Sequence, residues 1–167
     1  MAVVTVKSTP ITNRDSSPTV LTSPAQGAHR PMYNAFGRCA ITNGDSIGSK
    51  YILCEIPSNA RVISMRIYSG GAGAGSAANI GLYRNTADGG AVLDADLFCS
   101  AVSLASSFNN ADQAHESAQY SAPKRDMPLW EAVGLSEDPH TTFDLIAVLT
   151  GAAAADTNIC VNLDYVQ

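Results

Sequence analysis

Between Tyr51 and Tyr83 the chain reads YILCEIPSNARVISMRIYSGGAGAGSAANIGLY. Two apolar, β-branched runs flank a turn built on Pro57, and a glycine loop leads into a third short run. Such runs suit a pleated, half-buried surface, and turn residues cut each one short of helical length. The pattern predicts the central meander of an antiparallel β-sandwich. Nothing in it resembles catalytic equipment.

The same punctuation continues on both sides. Ala35–Thr42 reads as a strand, and Asn43-Gly44 is a hairpin signal. In Lys50–Ile56, Tyr51, Leu53 and Glu55 fall on one face and Ile52, Cys54 and Ile56 on the other. In Arg61–Ser69, Ile63, Met65 and Ile67 form a fully apolar face that is expected to point into the core. Asn79–Tyr83 restarts the sheet, and Asp88-Gly89 turns it. Ala91–Ser100 suits a strand or a short helix. Ala101–Pro123 is polar and irregular, with one helical turn expected near Ala111–Ser117. Leu129–Val133 is a short run. Phe143–Thr150 and Asn158–Val166 are two further strands, the last with Ile159, Val161, Leu163 and Tyr165 on one face. Some eight short strands with no long amphipathic helix between them leave a parallel sheet without crossovers. The expected fold is all-β: a two-sheet antiparallel sandwich, jelly-roll-like, over residues 33–167.

Residues 1–32 differ. They hold Pro10, Pro18, Pro24 and Pro31, half of the eight prolines. Proline fixes φ and removes a donor, so neither a central strand nor a helix is expected here. The segment reads as an extended arm. One reading is a floppy tail. The other is an arm that orders against a neighbouring subunit, with Val4, Val6, Val20 and Leu21 as apolar anchors and Arg14 and Arg30 as cationic ones.

Composition closes off several function classes. Hydrophobic residues make up 46% of the chain and charged ones 15%, too apolar for a disordered chain. No apolar stretch is long enough to span a membrane. The start, MAVVTVKSTP, lacks the basic lead and apolar core of a signal peptide, so a cytosol-like compartment is expected. Residues 1–66 carry seven basic and three acidic side chains; residues 67–167 carry three and twelve. That asymmetry can orient the protein in an assembly. The basic residues are scattered and not interleaved with aromatics, which argues against nucleic acid. Cys39, Cys54, Cys99 and Cys160 have no metal-type spacing and are expected as free thiols acting as small hydrophobes.

Candidate chemistry is thin. Gly73-x-Gly75-x-x-Ala78 matches a permissive dinucleotide fingerprint, but that motif needs a helix next, and Asn79–Tyr83 is strand-like. The expected reading is a flexible loop. His29, His115 and His140 lie far apart, without the convergence a metal needs. No Gly-x-Ser-x-Gly elbow supports a Ser-His-Asp arrangement. Asp94 and Asp96 point to the same side of a strand, where acid–base or calcium chemistry competes with a plain solvated face. Trp130 suits sugar stacking or a core or interface anchor. No catalytic residue, cofactor, metal or small-molecule substrate is expected.

Several of these features coincide in one order. They are the unit Ile56–Ile63, the short strand Ile80–Tyr83, Leu129–Leu135, and the final pair Phe143–Thr150 and Asn158–Val166. That order, over about residues 35–167, resembles the small β-sandwich proteins of tailed-bacteriophage virions, especially capsid decoration (cement) proteins. The resemblance implies a non-enzymatic role on the outside of the head, bridging major capsid subunits, often as a homotrimer, after assembly in the host cytoplasm. Other virion components (head–tail connector, tail or fibre-base proteins) and a carbohydrate-binding sandwich remain alternatives.

Overall fold

The structure is a computed structural model that describes residues 7–20 and 31–167. The chain divides between Pro31 and Met32 into two compact units.

In the first unit a short helix, α1, spans Thr9–Arg14. The proline argument against any helix fails here for a local reason. Pro10 stands in the first turn, where its missing N–H has no intrahelical partner to lose. Beyond the helix, the Val20 N–H donates to the Asn13 carbonyl at 3.1 Å and to Ser16 Oγ at 3.1 Å. Lys7 pairs with Asp15 at 2.8 Å.

The second unit is built of β1 (Met32–Ile41), β2 (Lys50–Pro57), β3 (Arg61–Ser69), β4 (Ala77–Arg84), β5 (Val92–Ser103), β6 (Phe108–Asp112), β7 (Thr142–Gly151) and β8 (Thr157–Val166). A one-turn helix, α2, occupies Leu129–Ala132. The strands form two four-stranded sheets, in the orders β1-β8-β3-β6 and β2-β7-β4-β5, with every pairing antiparallel. Successive strands β1 to β4 therefore alternate between sheets, and four of each sheet's members face the other's across the core. This is the jelly-roll arrangement of the expected antiparallel sandwich.

Two local expectations are corrected by that topology. Tyr51–Tyr83 is not a meander, because β2 and β4 belong to one sheet and β3 to the other. Asn43-Gly44 does turn the chain, with Gly44 at φ 93°. It does not close a hairpin, since β1 pairs with β8 and β2 with β7. Short-range turn chemistry sets that the chain reverses, not which strand it then joins. Ala91–Ser100 resolves as strand β5, and the helical turn expected near Ala111 gives way to strand β6 followed by turns.

Bulges shift the inward phase of two strands. The β2–β7 register slips between Ile52 and Cys54, so Leu53 and Ile56 point inward while Ile52 is 52% exposed. The β3–β8 register slips between Val62 and Ser64. Val62, Met65 and Ile67 are buried, whereas Ile63, expected in the core, is exposed. An extra residue puts two on one strand against one on its partner and reverses the alternation beyond it.

The core lies between the sheets. Met65, Ile67, Val161 and Leu163 from one side meet Ile56, Ile80, Leu82, Leu145 and Phe143 from the other, all fully buried. The phase expected for β8 holds for Ile159, Val161 and Leu163. Phe98 and Tyr120 pack edge to face at 5.3 Å, and the Tyr120 hydroxyl accepts from the Val62 N–H. Cys99 is buried, and Cys39, Cys54 and Cys160 are half-buried; all four are free thiols.

One side of the sandwich is closed by contact between β1 and β2. A Cβ on Gly37 would stand 1.7 Å from the Leu53 carbonyl oxygen, and Cys39 Sγ donates to the Ile52 carbonyl at 3.2 Å. The other side is padded. Gln113–Tyr120 runs along β5, with Ser117 N–H on Phe98 O and Tyr120 N–H on Leu97 O. Both ends of the β2-β7-β4-β5 sheet are thus covered rather than left as open templates.

Gly37→Ala should lose about 3 kcal/mol, because the clash is with backbone that cannot move aside. Gly44→Ala, with nothing within 4 Å but a positive φ, should lose only about 1 kcal/mol. Urea unfolding of both variants checks the order; an equal loss would remove the closing role of Gly37.

Candidate interaction surfaces

A shallow surface depression sits where the β2–β3 turn meets the segment before β7. It encloses about 230 Å³ and is lined by Pro57, Ser58, Asn59, Asp138, His140 and Thr141. Serine, histidine and aspartate do meet here, in an order that cannot run a triad. Ser58 Oγ donates to Asp138 Oδ1 at 2.5 Å, and the His140 N–H donates to the same oxygen at 2.9 Å. His140 Nδ1 stands 3.4 Å from Asp138 Oδ2. The imidazole is therefore on the far side of the carboxylate from the hydroxyl and cannot take its proton. Burial tends to raise the Asp138 pKa, but the Ser58 and His140 hydrogen bonds outweigh it and hold the carboxyl below its usual range. The cluster clamps two loops together.

His115 also serves structure. Its ring stacks on Tyr120, Nδ1 faces the Tyr120 carbonyl, and Nε2 lies 2.7 Å from Arg125 Nη1. A carbonyl only accepts and a guanidinium only donates, so Nδ1 carries the proton and Nε2 accepts. Arg125 in turn donates to the Ile63 carbonyl. This chain ties the 113–125 excursion to the bulge of β3.

The glycine loop is followed by strand β4, not by a helix, so no dinucleotide cradle exists at Gly73 to Ala78. It is also less free than its composition suggests. Ala72 and Ser76 are buried; the Ala72 N–H donates to Leu104 O at 2.7 Å, and Ser76 Oγ donates to Ala72 O and Ala152 O. Asp94 and Asp96 are half-buried on β5, and the Asp96 N–H donates to Asp94 Oδ1. Among the described residues no three His, Cys, Asp or Glu are placed to hold a metal ion. No described helix is long and apolar enough to cross a membrane. Trp130 is partly buried and packs against the core.

Of the six arm residues proposed from sequence, Val4, Val6, Leu21 and Arg30 lie outside the described residues. Arg14 closes α1, and Val20 is 52% exposed after it.

What the sequence reading missed is the character of the two outer sheet faces. On the β1-β8-β3-β6 face, cross-strand rows run Phe36–Asn162–Arg66 and Arg38–Cys160–Tyr68. Phe36 and Met32 are each 64% exposed, and Arg38 and Arg66 are exposed, with no ion pair among the described residues. Between them Asn34 donates to Asn162 and to Asp164, and Ser64 donates to Asp164 at 2.9 Å, a polar ladder across the three strands. The signal was present in AFGRCAI: Phe36 and Arg38 share one phase, Gly37, Cys39 and Ile41 the other.

On the β2-β7-β4-β5 face, Ile52 stands opposite Ile146, and Glu55 stands directly opposite Asp144. Two carboxylates thus face each other across adjacent strands. Burial, then the Glu55 charge, raise the Asp144 pKa, against a lowering hydrogen bond from the Thr86 N–H. Lys50 lies with its ammonium 5.0 Å from the Tyr83 ring. Cys54 beside this pair is pushed up to about 12, by burial first and then by Asp144 and Glu55.

The Glu55–Asp144 opposition has a testable sign. A carboxyl whose folded pKa is raised contributes stability below its unfolded value and loses that contribution as pH rises through the folded one. Asp144→Asn should therefore gain about 0.5 kcal/mol at neutral pH, with the gain vanishing below the ordinary aspartate range. A thermal-melt series over pH reads this out; a neutral-pH loss would contradict it. The thiols give a second check. Cys99 is buried, and burial followed by the Glu116 charge raises its pKa, so a thiol reagent followed by mass spectrometry should leave it unmodified until the chain unfolds.

No protein-family model matches the chain, and no curated protein matches it. Among solved structures, a chain of the cyanophage Pam1 capsid asymmetric unit aligns at TM-score 0.53 with 17% identity, over 91% of this chain and 96% of that one. A chain of the acid-stable capsid of Helicobacter pylori bacteriophage KHP30 aligns at TM-score 0.46 with 14% identity, over 84% and 90%. The first of these likenesses places the sandwich in a fold shared with a protein of the Pam1 capsid.

Proposed function

We propose that this chain is a non-enzymatic structural protein of a bacteriophage virion, acting as a capsid decoration or cement protein. On this reading it binds the outer surface of the head, bridges major capsid subunits and assembles as a homotrimer. One observation carries the reading: the fold is shared with a chain of the cyanophage Pam1 capsid asymmetric unit across nearly the whole of both chains. Fold alone does not fix function, so the surfaces matter as well. Sheet faces carrying exposed Phe36, Met32 and Ile52, beside arginines without ion-pair partners among the described residues, suit contact with other proteins. The arm at residues 1–31 would add main-chain and apolar contacts to a neighbour's sheet edge, with Val4, Val6, Val20 and Leu21 as anchors and Arg14 and Arg30 meeting acidic groups.

Deletion of residues 1–31, which stops short of β1, tests it. The truncated protein should keep a β-rich circular dichroism spectrum and a cooperative melt, yet fail to co-sediment with expanded heads that the full chain decorates. Undiminished binding by the truncated protein would remove the arm from the mechanism. Failure of the full chain to bind heads at all would remove the cement role. A low copy number per particle would point instead to a connector, tail or fibre-base protein.

A further inference from the structure

We propose that the two outer sheet faces dock on each other between copies of this chain. Phe36, Arg38 and Arg66 on the β1-β8-β3-β6 face of one copy would meet Ile52, Glu55 and Asp144 on the β2-β7-β4-β5 face of the next.

Two observations converge on it. The first is an uncovered aromatic flanked by uncovered cations. Phe36 is 64% exposed, and Arg38 and Arg66 are exposed without ion-pair partners among the described residues. Aromatic and Arg side chains are the ones enriched where protein surfaces meet. The second is the complementary face. Ile52 is 52% exposed, and three residues along the same strand Glu55 opposes Asp144 with no cation interposed between the two carboxylates in the register. Like charges placed opposite each other on a sheet are unfavourable unless a cation meets them. Of the cations on the flanking strands, Lys50 is directed to the Tyr83 ring, and Arg84, opposite Phe143, makes no ion pair with either carboxylate among the described residues.

The two patches differ and lie on different sheets, so the contact is head-to-tail. It closes into a ring if the rotation permits. The inference stands apart from the virion reading, since it needs only copies of this chain.

The test uses the full-length protein and charge reversal. The wild type should self-associate by sedimentation velocity, and association should weaken as salt screens the pairs. Arg38→Glu with Arg66→Glu should weaken association by about tenfold or more, as should Glu55→Lys with Asp144→Lys. Melting temperature and circular dichroism confirm that each variant is folded. Mixed together, the two variants should associate again, because each supplies the face the other lacks. Three results would overturn the proposal: a wild type that stays monomeric, a reversed variant that associates like the wild type, or a mixture that stays dissociated.

Discussion

The sandwich depends on one placement, that of β8 between β1 and β3. The last strand of the chain is an inner strand of its sheet, paired with Met32–Ile41 on one side and Arg61–Ser69 on the other. Its ten residues in unbroken register with β1 are the longest regular pairing among the described strands, and Ile159, Val161 and Leu163 are buried in the core. Without β8, β1 and β3 have no partner in common and the inner face of their sheet has nothing to align it. Such pairing across most of the chain's length makes loop-closure entropy the main obstacle to folding.

The bulges of β2 and β3 fit those strands to that frame. At Leu53 and Ile63 one extra residue turns the strand over, and each bulge places an isoleucine in solvent, Ile52 and Ile63. The bulge in β2 also aims the Ile52 and Leu53 carbonyls toward β1, where Cys39 and Gly37 meet them. Closure of the sandwich and exposure of an apolar side chain on its outer face are therefore two results of one inserted residue.

Most strands were legible because local alternation and turn residues agree with the fold. The pairs Phe143–Thr150 and Asn158–Val166 lie within β7 and β8 nearly end to end. Strand order was not legible, because Asn43-Gly44 and Pro57-Ser58-Asn59 carry the same chemistry whether a chain returns to its own sheet or crosses to the other. Nor were bulges, which leave no mark in a window of alternating residues; Ile63 reads as core until its partner on β8 is known. The short helix at Thr9–Arg14 was hidden by its proline, which is permitted only in the first turn. Of the proposed interaction residues only Arg14 and Val20 fall among the described ones. The outer-face residues Phe36, Arg38, Arg66, Glu55 and Asp144 were visible as letters, but their grouping needs the register.

The glycine loop between β3 and β4 carries a different lesson. Its donors and acceptors are spent on the neighbouring loops: Ala72 with Leu104 and Ala154, Ser76 with Leu104, and, beside them, Gly44 with Ala153 and Gly48 with Leu149. Three of its glycines hold positive φ, which no other residue adopts as readily. A low-complexity stretch of this kind is anchored at its two buried residues, Ala72 and Ser76, while Ala74 and Gly75 between them stay exposed. Hydrogen exchange at the Ala72 amide would then track global unfolding rather than local breathing, although it sits in the stretch whose composition reads as the most flexible in the chain.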